Sequence, residues 1–160
     1  MKSIIVYYSH SGHTRKVAHI LLEYLREKSD VELLELRAQD ESDSFFGQAK
    51  RAFLKKRAKL ERVNFDLAGY DLVCLGSPVW AFGPAPAMNT YLDKCFGLEN
   101  KEIILFTTFG SGTGNQSCLN YMQGVLSKKG VKNFNRFSTQ QFQADNKDKV
   151  LLTIKQALRL

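Results

Sequence analysis

Lys2-Ser3-Ile4-Ile5-Val6-Tyr7-Tyr8-Ser9-His10-Ser11-Gly12-His13-Thr14 changes character twice in thirteen residues. Ser3–Tyr8 is almost continuously apolar, as a strand covered on both faces of a sheet requires. Ser9–Thr14 then places three hydroxyls and a glycine in a short polar turn. Beyond it, Val17, Ile20, Leu21, Tyr24 and Leu25 recur at i, i+3, i+4, i+7 and i+8, the stripe of an amphipathic helix. Strand, hydroxyl-rich turn and helix in direct succession make the first half of a βαβ unit.

The same alternation continues outward. Val31–Leu36, Asp71–Gly76, Glu102–Thr107 and Val131–Thr139 read as further strands; Glu32 and Glu35 interrupt the first of these, as suits a sheet edge. Helical stripes follow at Met88, Tyr91 and Leu92, at Leu119, Met122, Val125 and Leu126 before Gly130, and at Val150, Leu151, Ile154, Ala157 and Leu158. Phe45, Phe46, Ala49, Ala52 and Phe53 mark a basic helix in the long connection Arg37–Tyr70. Alternating strands and helices imply right-handed crossovers. The expected fold is α/β: a three-layer sandwich on a five-stranded parallel sheet of order 2-1-3-4-5, one domain over residues 1–160.

Composition bounds the function classes. At 160 residues, 44% hydrophobic and 24% charged, the chain is long enough to bury a core without disulfides or structural metal. No apolar run approaches the roughly 18–20 residues of a membrane span, and the N-terminus lacks a signal-peptide cleavage pattern. The three cysteines sit on apolar segments, not at metal-ligand spacings, which points to a reducing, cytoplasmic setting. The net charge of +7 is concentrated. Lys50, Arg51, Lys55, Lys56, Arg57, Lys59 and Arg62 face only Glu61 across Ser44–Val63. A solvated helix face is the ordinary reading of such a run. The functional reading is a docking surface for an acidic partner on Lys50–Arg62. Nucleic acid is disfavoured, because no aromatic platform accompanies the charge.

In doubly wound sheets ligands bind beyond the carboxyl ends of the strands, so three turns carry the chemistry. Ser9, His10, Ser11, Gly12, His13 and Thr14 form the first. A helix N-terminus offers free N–H groups and the positive dipole end, the hydroxyls add donors, and Gly12 permits close approach: a phosphate site without a P-loop lysine. The second is Ser77, Pro78, Val79, Trp80, Ala81, Phe82 and Gly83, with the chain's one tryptophan in a proline-rich stretch suited to stacking on a planar ring. The third is Thr107, Thr108, Phe109, Gly110, Ser111 and Gly112, uncharged and rich in small residues, able to hydrogen-bond a heterocycle edge. No triad, metal cluster or catalytic side chain is assigned. A phosphoacceptor domain of the same topology is excluded: Ser9-His10 and Gly76-Ser77 stand where it needs acids.

At these residues the sequence resembles the flavodoxin family. Ser9–Thr14 is similar to its phosphate turn, with His10 and His13 where the family often has Thr and Asn or Asp. Tyr70–Trp80 is similar to its third strand and flavin-stacking loop, and Phe106–Asn115 to its third flavin loop. The resemblance implies non-covalent FMN, its phosphate on Ser9–Thr14 and its ring between Pro78–Gly83 and Thr107–Gly112. It implies an electron carrier between redox partner proteins, a monomer or weak dimer. The alternative is an NAD(P)H- or quinone-linked FMN oxidoreductase on the same fold.

Overall fold

The computed structural model describes residues 1–39, 57–110 and 112–158. The basic helix expected around Phe45–Phe53 lies outside them, as do Lys50–Lys56 of the basic run and Ser111. Among the described residues six strands and four α-helices follow one another: β1 (Lys2–Tyr7), α1 (His13–Arg26), β2 (Asp30–Glu35), β3 (Leu72–Trp80), β4 (Gly83–Pro84), α2 (Pro86–Lys94), β5 (Glu102–Phe109), α3 (Asn115–Ser127), β6 (Asn133–Gln140) and α4 (Lys147–Leu158).

The sheet runs β2-β1-β3-β5-β6, all parallel, with β4 pairing antiparallel to the end of β3. With the five long strands counted in sequence, this is the expected order 2-1-3-4-5. β2, with its interrupting glutamates, is an edge strand.

Side chains alternate across β1, and each face finds its own core. Ile4, Val6 and Tyr8 pack with Met88, Tyr91 and Leu92 of α2 and Leu119, Met122 and Leu126 of α3. Ile5 and Tyr7 pack with Val17, Leu21 and Leu25 of α1 and Val150, Ile154 and Leu158 of α4. Two of the described helices on each face make the three layers.

The third strand departs from expectation. Ser77–Trp80, expected in a loop, continue β3, and Pro78 pairs with Thr108 of β5. Proline is tolerated there because it faces a side where the neighbour has ended. Gly76, two residues earlier and on the same side, accepts the Tyr8 N–H at 3.1 Å, and β1 has already finished at Tyr7. The strand then folds back through Ala81 and Phe82, at φ 46° and 67°. Positive φ at both central residues is what a two-residue type I′ hairpin demands. Neither is glycine, so each costs about 1–2 kcal/mol. Gly76 itself is required by packing: a Cβ there would lie 2.1–2.6 Å from the Phe106 ring.

The connection holding the basic run returns to the point it left. Gln39 N–H donates to the Lys59 carbonyl at 2.7 Å and Glu61 N–H to the Arg37 carbonyl at 3.0 Å. Ala58 N–H donates to Thr90 Oγ1 at 2.9 Å, and the Thr90 hydroxyl donates to the Ala58 carbonyl at 2.7 Å. Arg57 is anchored on Asp93 of α2. The end of the basic run is thereby fixed on α2, beyond the β4 hairpin.

Candidate functional site

The ends of β1, β3 and β5 bring the three turns to one edge of the sheet. Gly12 is the N-cap of α1, at φ 91°, and no side chain caps the helix from that position. A Cβ built on Gly12 meets nothing within 4 Å. Ser9 Oγ accepts the Arg15 N–H at 3.2 Å, which leaves its own proton to donate. Ser11 and His10 are exposed, His13 is half-buried, and Thr14 is buried. Hydroxyl protons, a helix N-terminus and open space over a glycine are a donor set that suits a phosphate. The cations nearest in sequence are paired: Arg15 with Glu35 of β2 at 2.5 Å, and Lys16 with Asp145 ahead of α4.

Thr14 also ties the first turn to the third. Its hydroxyl lies 2.7 Å from that of Thr108, both fully buried. Thr107 is buried on the opposite face of β5, hydrogen-bonded to Ser138 of β6 at 2.8 Å. Phe109 is half-buried; Gly110 and Gly112 are exposed, and Gly112 has φ 68° with open space around its would-be Cβ.

In the second turn the residues divide. Ser77 is buried and accepts the Ala85 N–H at 2.9 Å, pinning β3 to the start of α2. Pro78 is also buried, whereas Val79 and Trp80 are half-buried and Ala81 and Phe82 are exposed. Gly83 is buried in the hairpin. The Trp80 ring meets Tyr8 and His10 edge-on, at 5.7 Å between centroids in both cases and at 87° and 81° between planes. Gly114, ahead of α3, leaves room for Phe82: a Cβ there would lie 2.9 Å from the Phe82 ring. Two further residues come to this edge: Tyr8, which the sequence marks only as strand although it adjoins Ser9, and Ser138, which becomes visible only through the β5–β6 register.

The three cysteines lie outside the three turns of this edge. Cys74, Cys95 and Cys118 are buried in the two cores, and burial pushes each thiol up, Cys95 to about 11 and Cys118 to about 12. Among the described residues no cluster of His, Cys, Asp or Glu could hold a metal ion. No described helix is long and apolar enough to cross a membrane.

A doubly wound α/β domain with a phosphate-type turn after β1 and aromatic and hydroxyl turns after β3 and β5 is the flavodoxin-like class. The family model for NADPH-dependent FMN reductase matches residues 1–143. The chain belongs to that family, and FMN is accordingly its flavin. Solved structures of the same fold include a flavoprotein from Bacteroides uniformis, with TM-score 0.74 and 19% identity over 96% of this chain and 97% of that one. A Lactobacillus acidophilus flavoprotein in complex with FMN has TM-score 0.58 and 23% identity over 92% and 98%. An oxidised flavodoxin from Bacillus cereus has TM-score 0.66 and 17% identity over 99% and 98%.

Proposed function

We propose that the protein is an electron carrier that holds FMN at this edge and passes electrons between redox partner proteins. The observation that carries the reading is the joined pair of turns: Ser9–Thr14 supplies phosphate donors, and Thr14 connects it through Thr108 to the turn that would flank the ring. FMN, when bound, supplies the electron chemistry. The protein's part is to bind and orient it. Ser9, Ser11, Gly12, His13 and Thr14 would hold the phosphate. Trp80, with Phe82 or Phe109 as the second aromatic, would hold the ring. Neither Ser77–Tyr91 nor Phe106–Met122 contains a charged residue. The basic run Lys50–Arg62 is suited to an acidic partner, and Arg57 within it is already committed to Asp93 and Tyr121.

A second reading is favoured by the family match: direct reduction of the flavin by NADPH. Rapid anaerobic mixing of holoprotein with NADPH or NADH, followed by loss of flavin absorbance, separates the two. An electron carrier bleaches slowly until a separate reductase is added. Fast bleaching by NADPH alone would replace the carrier reading with the reductase one.

A further inference from the structure

β6 ends the sheet on the side away from β2, and its register with β5 is unbroken from the Glu102–Asn133 pair to the Phe109–Gln140 pair. Along a strand, side chains alternate between the two faces, and main-chain N–H and C=O groups alternate between the two sides. Phe137 and Thr139 are only 5% and 4% exposed, main chain included, so their N–H and C=O groups are turned to β5. Phe134, Arg136, Ser138 and Gln140, each half-buried, therefore present theirs outward. Among the described residues no backbone partner meets that edge.

An open strand edge is a template for another strand, and proteins ordinarily blunt it with lysine, proline, a bulge or a charge. β6 holds neither lysine nor proline, and its unbroken register excludes a bulge. Its one charged side chain, Arg136, is drawn onto α3, where Nη1 donates to Asn120 Oδ1 at 2.8 Å and to Gln123 Oε1 at 3.0 Å. The opposite edge is defended: β2 carries Asp30, Glu32 and Glu35, which a second β2 would meet with like charge. Just past β6, Phe142 is 72% exposed, more than any other large apolar side chain described.

We propose that β6 is the contact between two copies of this chain, paired antiparallel about a twofold axis at Phe137 to make one continuous sheet. A twofold contact sets one patch against itself, and a strand edge, offering donors and acceptors in alternation, is complementary to its own copy. With the axis at Phe137, Phe134 faces Gln140 of the partner subunit and Arg136 faces Ser138 of the partner subunit. All the outward residues then fall in narrow pairs, each exchanging two N–H···O=C bonds. Phe142 comes to the start of the partner's strand, beside Lys132 of the partner subunit, in reach of a cation–π contact. An axis at Arg136 would oppose two like charges, and an axis at Ser138 would leave Phe134 beyond the partner's strand. Because the paired strands run in opposite directions, the two candidate sites lie at opposite edges of the joined sheet, and each stays open.

Sedimentation of the full chain from about 1 to about 200 μM, the span in which small interfaces associate, tests the pairing. We expect the mass to rise from that of one chain to that of two. Arg136→Pro removes an outward N–H at a position where an edge strand tolerates proline; it should raise the dimer Kd about tenfold or more with an unchanged far-UV spectrum. Ser138→Glu and Ser138→Lys lose the same hydroxyl, but only the first sets an opposite charge across from Arg136. The Glu variant should therefore dimerise more tightly than the Lys variant. In hydrogen exchange, the amides of Phe134, Arg136, Ser138 and Gln140 should gain protection as concentration rises, while those of Phe137 and Thr139 are protected throughout. A single-chain mass at every concentration overturns the proposal. So does a dimer that survives Arg136→Pro unchanged while the outward amides exchange freely, since another face would then make the contact.

Discussion

The hydroxyls of Thr14 and Thr108 lie 2.7 Å apart in the interior, joining the first turn of α1 to the end of β5 across 94 residues of chain. A hydroxyl has one proton and two lone pairs. If Thr108 donates to Thr14, the Thr14 proton is free for a ligand, and one bond both closes the fold and orients the donor.

Thr108→Val keeps the shape and removes the partner. Thr14 is then left buried and unpaired, at a cost of about 1–3 kcal/mol. In a chain of this size that is about 2–4 °C in Tm per kcal/mol. FMN should weaken more than riboflavin, because the orientation lost belongs to the phosphate side. A variant that melts like the wild type and binds both flavins unchanged would show that Thr14 is held by other contacts.

Gly76 is a matter of space. Any Cβ there meets the Phe106 ring at 2.1–2.6 Å, and Phe106 is stacked on Phe137 at 5.5 Å in the core between the sheet, α1 and α4. The ring has no open side to yield to. Gly76→Ala should cost at least the roughly 1–3 kcal/mol of an overpacked core. Adding Phe106→Leu should recover part of that loss, so the double variant is more stable than the sum of the singles predicts. Denaturant midpoints of the four proteins measure the coupling; strict additivity would mean the backbone shifts instead of the ring.

The order of the sheet was legible because each buried strand is a nearly unbroken apolar run and each helix carries one stripe. Those patterns follow from burial on two faces or one, and burial was set by the layers themselves. The turn after β1 was legible as a strand-to-helix junction, because Ser, Gly and Thr ahead of a helix stripe are the residues that start helices, and Gly12 is the N-cap of α1. The end of β3 was not. Pro78 reads as a strand breaker until one knows that β1 has already ended beside it. Ala81 and Phe82 carry no sign of positive φ, since turns of that kind usually hold Gly or Asn. The Thr14–Thr108 bond and the Thr107–Ser138 bond depend on register and helix placement, which local sequence does not encode.

Alkaline pH should unfold the protein earlier than its surface charge would suggest. Burial raises Cys95 to about 11 and Cys118 to about 12, whereas a thiol in the unfolded chain ionises near 8.5. Between those values the unfolded state has lost protons that the native state keeps. Stability is then fully present below about pH 8.5 and falls as pH rises toward 11 and 12. Urea midpoints should be level from pH 7 to 8 and decline through pH 9 and 10, with a shallower decline in Cys95→Ala. At pH 8 a thiol reagent should label no cysteine quickly in the native protein and all three in urea. Rapid native labelling of Cys95 would show that this end of α2 opens.

Trp80 is the chain's one tryptophan, so its emission reports on a single place. It is half-buried at the end of β3, with Tyr8 and His10 edge-on to it, each at 5.7 Å. A perpendicular pair sets the edge of one ring against the face of the other, and aromatic pairs are worth about 0.5–1.5 kcal/mol beyond the area they bury. If FMN lies against this ring, Trp80 fluorescence should be quenched in the holoprotein and recover when FMN is removed. Trp80→Phe keeps an aromatic face and should weaken FMN by only a few-fold. Trp80→Ala should weaken it by about tenfold, the equivalent of 1.4 kcal/mol, and riboflavin by a similar factor, since the ring is common to both. That equality separates Trp80 from Thr108, whose loss should be felt mainly through the phosphate. Unchanged emission on FMN removal, with unchanged affinity in Trp80→Ala, would place the indole as packing over Tyr8 alone and move the ring contact to Phe82 or Phe109.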